Sequence, residues 1–140
     1  MIIKLNRIDD NFLFECTNSA GNSILLDNTS QANAKGVSPM ESVMMAVAGC
    51  SGIDVVSILK KQRQSIASFS AEVEGERLQE GEAKPFKKMT VKFFIDGEVE
   101  PSKALKAAEL SFDKYCSVSK TLEPNVEVVY RVFVNGAEVL

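Results

Sequence analysis

The stretch Ser38–Arg63 of this 140-residue chain is apolar almost without interruption over most of its length. It opens with a helix signal, because Ser38 suits the N-cap, Pro39 the first turn and Glu41 the capping-box position. The pattern predicts one helix to about Gln62, roughly 36 Å long at 1.5 Å per residue. Because this helix is apolar nearly all round, we expect a sheet to cover one side and another helix or subunit the other.

The same run approaches the length of a membrane span, so its polar interruptions matter. Asp54 lies within the run together with serines and glycines, and predicted strands precede and follow it. We therefore expect a helix buried in protein, with no membrane partner.

The rest of the chain has the alternation of apolar and polar residues that is typical of strands. Two short alternating segments and "ILLD" predict three strands before the helix, and two long antiparallel strands follow it. A further helix opens near Pro101, "CSVSKTL" continues it or starts a short new one, and Val126–Val134 forms a final strand. The order βββ-α-ββ-α-(α)-β predicts one α+β domain over residues 1–140, a bent antiparallel sheet packed on a long central apolar helix.

The charge balance argues against a nucleic-acid partner. Sixteen Lys and Arg face 19 Asp and Glu, for a net charge of -3, and no basic run suggests a surface that follows phosphates. The first residues, "MIIKLNRIDDNF", have no apolar signal-peptide core and no small-residue cleavage site. We expect a cytoplasmic protein.

The chain contains no histidine, which excludes Ser-His-Asp and Cys-His hydrolysis and histidine-ligated zinc. Its three cysteines are widely spaced and form no CxxC motif, so we expect no structural disulfide framework. A tetrahedral zinc site would need one more soft ligand than these cysteines supply. We therefore predict no metal and no cofactor.

Two cysteines are candidates for chemistry, although a packed, inert thiol is the default interpretation of each. Cys50 lies in the middle of the long helix, within "AVAGCSGIDVV", and Cys116 follows 66 residues later in "DKYCSVSKTL". A thiolate can reduce a peroxide and become a sulfenic acid, which a second thiol converts to a disulfide. This cycle needs neither a metal nor a histidine, but the spacing alone does not show that the two sulfurs meet.

Three further residues have simpler interpretations. Cys16 shares a strand face with Phe12 and Phe14, which favours core packing. Glu41 serves the helix cap, although its carboxylate could also orient a cation near the thiols. Asp54, one turn after Cys50, must find a hydrogen-bond donor or a wet groove.

At these positions the sequence resembles the OsmC/Ohr family, the osmotically inducible and organic hydroperoxide resistance proteins. "SPMESVMMAVAGCSGIDVVSILKK" matches the family helix, with a proline near its start and a cysteine eleven residues later. "KYCSVSKTL" matches the segment of the second family cysteine, and the element order fits nearly the whole chain.

The resemblance implies an intertwined homodimer with the long helices packed centrally and two active sites at the subunit interface. It also implies reduction of organic hydroperoxides, with Cys50 as the peroxidatic cysteine, Cys116 as the resolving one and a dithiol such as a lipoyl group as reductant. We expect Met40, Met44 or Met45 and Phe112 to line an apolar groove for the alkyl chain.

The chain departs from the family pattern at two positions. Active family peroxidases have a glutamate directly after the motif proline, where this chain has Met40, and Glu41 follows one residue later. They also hold the thiolate with an arginine from an N-terminal loop. Here Arg7 lies in a predicted strand, and the loop before the long helix has Lys35 instead.

These departures keep two alternatives open. One is a non-catalytic dimer that binds a small hydrophobic ligand or senses redox state. The other is a structural dimer whose cysteines are ordinary core residues, which predicts thiols inert to alkylation in the native state. The pH dependence of Cys50 alkylation would separate catalysis from binding.

Overall fold

The computed structural model describes all 140 residues, and its element order matches the predicted one with a seventh strand added. The elements are β1 (Lys4–Arg7), β2 (Phe14–Thr17), β3 (Ser23–Leu26), α1 (Pro39–Lys61), β4 (Ser65–Arg77), β5 (Phe86–Glu98), α2 (Pro101–Leu110), a π-helical turn (Ser111–Tyr115), α3 (Ser117–Leu122), β6 (Glu127–Val134) and β7 (Ala137–Val139). The extra strand follows Asn135 and Gly136, both of which have positive φ and form a tight hairpin turn.

The chain divides into two compact units, Met1–Val43 and Met44–Leu140, with the boundary inside α1. The N-terminal unit carries the antiparallel sheet β1-β2-β3. Leu13 is its only buried residue. At the start of α1, the Glu41 N–H donates to Ser38 Oγ at 3.1 Å, which confirms the predicted N-cap.

The C-terminal unit carries a four-stranded sheet in the order β4-β5-β6-β7. The long β4 and β5 pair antiparallel as predicted, but β5 and β6 pair parallel. The expectation of a wholly antiparallel sheet was therefore wrong at this pair. The helices between β5 and β6 form a crossover, which returns the chain in its original direction as parallel strands require.

One face of this sheet forms the core of the C-terminal unit. Along β5 every second side chain is at most 1% exposed: Met89, Val91, Phe93 and Ile95. The Phe93 ring lies 5.8 Å from the Phe69 ring on β4 and 6.2 Å from the Phe112 ring in the π-helical turn. A Cβ placed on Gly52 of α1 would lie 3.4 Å from the Phe69 ring. Helix α1 and the π-helical turn therefore pack on the same face of the sheet.

The chain buries only one side of α1. Val47, Ser51, Val55 and Leu59 are completely buried, whereas Met45 is 53% and Ile53 72% exposed. By length and composition alone the helix could cross a membrane, and only 28% of that apolar window is buried. The expected cover on most sides of the helix is therefore not supplied by this chain.

Candidate functional site: a dithiol and carboxylate cluster

Two of the three cysteines meet beside the buried side of α1. Cys50 and Asp54 are one helical turn apart and share a face of the helix. Cys116 approaches them from the segment that precedes α3. The two Sγ atoms and a carboxylate oxygen of Asp54 all lie within 4.8 Å of one another. The sulfur proximity that the sequence left open is thus a feature of the fold.

The end of α2 determines where Cys116 lies. The helix widens into the π-helical turn, in which the Cys116 N–H donates to Ser111 O at 2.7 Å, five residues back. Cys116 then leaves the helical conformation and caps α3, where its Sγ accepts from the Ser119 N–H at 3.4 Å. Such π-helical turns often occur at functional sites.

The two thiols have different surroundings. Cys50 is half-buried, whereas Cys116 is completely buried. Burial raises the pKa of the Cys116 thiol above its ordinary value, the neighbouring Cys50 acts in the same direction, and the Ser119 N–H opposes them. Its surroundings therefore favour the protonated form of the Cys116 thiol.

Asp54 has both a hydrogen-bond donor and an open groove, the two surroundings expected for a carboxylate within an apolar helix. Ser111 is completely buried, and its hydroxyl donates to Asp54 Oδ2 at 2.8 Å. Asp54 also borders an open cleft of about 360 Å³. The other residues that line this cleft are Ser57, Ile58, Lys61, Gln62, Leu110 and Tyr115.

Two residues considered as supports for the thiols, Arg7 and Glu41, lie in the N-terminal unit. The Arg7 side chain donates to the backbone carbonyls of Asp10 and Asn11 in the turn between β1 and β2. The Glu41 side chain is exposed, and only its N–H takes part in the helix cap. A catalytic role for Glu41 stays a prediction.

The structure changes two other expectations. Cys16 is half-buried on β2, opposite the exposed Leu5 and Ile24, and is not a core residue. Phe112 is 5% exposed and stacks on Tyr130 at 5.3 Å, so it belongs to the core and not to an apolar groove. Lys35 is exposed and its backbone N–H donates to Asp27 Oδ2, so a role for its side-chain charge stays a prediction.

Sequence reasoning missed Ser111 and Ser119. Ser119 follows Cys116 by three residues, which is the spacing of an N-cap contact, but cysteine is not among the residues that usually mark a cap. Ser111 gave no signal, because its contact with Asp54 joins residues 57 positions apart.

Comparisons with known proteins agree with this fold. The family model described as OsmC-like protein matches residues 32–131. Protein YhfA of Escherichia coli K12 is 38% identical over 113 residues, which are 80% of this chain and 82% of the relative. A hypothetical protein from Aquifex aeolicus is 29% identical, with a TM-score of 0.80 and 96% of each chain covered.

The fold likeness extends to a more distant structure. The organic hydroperoxide resistance protein OhrB of Bacillus subtilis has a TM-score of 0.64 at 18% identity, and the match covers 95% of this chain and 98% of OhrB. At this identity the likeness concerns the fold alone. The chain belongs to the OsmC-like protein family.

Proposed function

We propose that this protein is a thiol peroxidase that reduces organic hydroperoxides with Cys50 and Cys116. The observation that carries the proposal is the meeting of a half-buried and a completely buried thiol within 4.8 Å, in a family that includes hydroperoxide resistance proteins. A pair at this separation needs only a short approach to form a disulfide, whose S–S bond is about 2.05 Å long.

The division of roles follows from the different exposure of the two cysteines. Cys50 is the more accessible sulfur and attacks the terminal peroxide oxygen, which breaks the O–O bond and leaves a Cys50 sulfenic acid and an alcohol. The Cys116 thiol then displaces the sulfenic hydroxyl as water and forms the Cys50–Cys116 disulfide. Overall, two thiols and one hydroperoxide give one disulfide, one alcohol and one water. A dithiol such as a lipoyl group returns the pair to the reduced state.

The cleft beside Asp54 is a suitable entrance for an organic substrate. Ile58, Leu110 and Tyr115 provide apolar walls, and Asp54 belongs to both the cleft and the cluster. An alkyl or aryl group would gain by contact with these walls, whereas hydrogen peroxide would not. This favours organic hydroperoxides as substrates.

We also propose a homodimer in which a second copy covers the exposed side of α1. Met45 and Ile53 are large apolar side chains that this chain leaves in solvent. Gly49 lies between them, and a Cβ added there would meet no neighbouring atom of this chain within 4 Å, so another backbone could come close.

The test measures peroxide consumption in a buffer that contains a metal chelator and dihydrolipoamide as reductant. The proteins compared are wild type, Cys50→Ser, Cys116→Ser and the control Cys16→Ser. We expect Cys50→Ser to lose turnover, Cys116→Ser to undergo one oxidation without recycling, and Cys16→Ser to match wild type. Cumene hydroperoxide should be consumed faster than hydrogen peroxide. Full consumption by Cys50→Ser would reject the proposal.

A redox-sensing or ligand-binding dimer is the second candidate. The observation that favours it is the engagement of Arg7 with backbone carbonyls in its own unit, because active family peroxidases use an N-terminal arginine to hold the thiolate. This candidate predicts oxidation of the thiol pair without multiple turnover, or thiols that stay reduced in the same assay.

A further inference from the structure

We propose that the reduced protein binds one zinc ion through Cys50, Asp54 and Cys116. Zinc is commonly bound by cysteine thiolates together with nitrogen or carboxylate oxygen ligands. The sequence argued against zinc because only cysteines and histidines were counted as ligands. The fold adds Asp54 as a third donor, which that count did not include.

The distances suit a metal ion after a small contraction. All three donor atoms lie within 4.8 Å of one another. In a tetrahedral zinc site, with Zn–S near 2.3 Å and Zn–O near 2.1 Å, adjacent donor atoms are about 3.6–3.8 Å apart. Each pair would therefore close by at most about 1.2 Å, which rotation of the two cysteine side chains can supply.

Two of the donors are held on one rigid element. Cys50 and Asp54 are four residues apart in the interior of α1, so their side chains point to the same side of the helix. Cys116 is fixed by the backbone bond to Ser111 at the end of the π-helical turn. The donors are thus arranged before any ion arrives, and ordering them costs little entropy.

A neighbouring residue already orients the carboxylate. The completely buried Ser111 hydroxyl donates to Asp54 Oδ2 and leaves the other oxygen free to bind an ion. Hydrogen bonds of this kind to metal-ligating carboxylates commonly hold them in a binding orientation. The contact gives Ser111 a specific positioning role.

The fourth coordination position and the choice of metal follow from the surroundings. Asp54 borders the open cleft, so a water molecule can complete the coordination. Two soft sulfur donors favour zinc over magnesium or calcium, which prefer sites made wholly of oxygen. Two thiolates and one carboxylate exceed the charge of the ion by one, and Lys61 in the same cleft can offset this excess.

This inference stands apart from the proposed function, although it uses the same two sulfurs. While both sulfurs coordinate zinc their lone pairs are engaged with the ion, so formation of the disulfide requires release of the metal. Zinc would then protect the thiols, and its removal would release the pair for oxidation.

The test is a zinc titration of the fully reduced protein, without peroxide, in competition with a chromophoric chelator. We expect one ion per chain in wild type and in the control Cys16→Ser, whose cysteine lies in the other unit. Cys50→Ser and Cys116→Ser should each weaken binding at least about 100-fold, and Asp54→Asn and Ser111→Ala about 10-fold or more. Cobalt in place of zinc should give thiolate-to-metal absorption in wild type.

Three outcomes would overturn the inference. They are a wild-type protein that does not compete with the chelator, binding that survives Cys50→Ser, and cobalt absorption without a thiolate contribution. Because no peroxide is present, none of these outcomes bears on the peroxidase. Conversely, a lack of peroxidase activity in buffer that contains a chelator would not contradict the zinc site.

Discussion

The two long sides of α1 are both apolar, but only one of them is buried by this chain. Val47, Val55 and Leu59 on one side are completely buried, whereas Met45 and Ile53 on the other are more than half exposed. Both sides would look alike in a hydropathy profile. Such a profile therefore predicts burial without showing which chain covers each side of the helix.

Cys50 and Asp54 lie between these two sides of the helix. Successive residues advance by about 100° around the axis, which places this pair next to the buried side and toward Cys116. The cluster therefore has a position fixed by the core, and one member of it, Asp54, borders the cleft. This arrangement would suit the proposed peroxidase, whose thiol pair must be held in place and reached by a substrate.

The largest expected effect comes from Leu59→Ala on the buried side. The side chain is completely buried, so its loss should lower the free energy of unfolding by about 2–5 kcal/mol. Urea denaturation at several protein concentrations measures the change. Ile53→Ala is the matched control, and for the dissociated chain it should change the free energy of unfolding by less than about 0.5 kcal/mol. Equal losses in the dissociated chain would remove the distinction between the sides.

A charge on the exposed side tests the proposed partner. Ile53→Asp should raise the dissociation constant of the homodimer at least about tenfold, or about 1.4 kcal/mol, because an unpaired carboxylate would be desolvated at the interface. Light scattering coupled to size-exclusion chromatography measures the mass. Ser102→Asp, in the exposed first turn of α2, is the control and should leave the mass unchanged. A monomeric wild type would contradict the proposed dimer.

Ser111→Ala tests the link between α1 and the π-helical turn. Loss of the Ser111 hydroxyl leaves one oxygen of the half-buried Asp54 without its hydrogen-bond donor. This should lower the free energy of unfolding by about 1 kcal/mol. The double variant Ser111→Ala, Asp54→Asn should show a non-additive loss, because the two side chains share one contact. Additive losses in thermal unfolding would mean that the contact contributes nothing to stability.

The smallest effects should come from two glycines of α1. A Cβ at Gly52 would lie 3.4 Å from the Phe69 ring, so Gly52→Ala combines a slight displacement with a gain in helix propensity of about 0.8–1 kcal/mol. The added methyl of Gly49→Ala meets nothing of its own chain within 4 Å. We expect Gly49→Ala to weaken the dimer and Gly52→Ala to leave dimer affinity unchanged, as analytical ultracentrifugation would measure. The reverse result would place the partner elsewhere.

Local patterns predicted the elements well because they depend on residues close in sequence. The Ser38 cap and the alternation along β5 are of this kind, and the structure contains both. The parallel pairing of β5 with β6 could not be predicted in this way, since it depends on where the intervening helices return the chain. The short β7 had a signal in Asn135 and Gly136 that was not used.

The site was predicted in part. The sequence singled out Cys50 and Cys116 but left open whether their sulfurs meet, because their proximity depends on packing across 66 residues of chain. Asp54 was expected to need a donor, yet Ser111 could not be identified without the π-helical turn. Phe112 was expected in a groove because an apolar residue looks the same in a core and at a binding wall.

The proposed peroxidase requires that Cys50 and Cys116 act as one redox pair. The direct measurement is intact mass and peptide mapping of the reduced, metal-free protein after one equivalent of cumene hydroperoxide. We predict a loss of two hydrogens and a Cys50–Cys116 disulfide, formed faster than with hydrogen peroxide and absent in Cys50→Ser and Cys116→Ser. Unreacted thiols, or a disulfide that involves Cys16, would contradict the proposed pairing of Cys50 with Cys116.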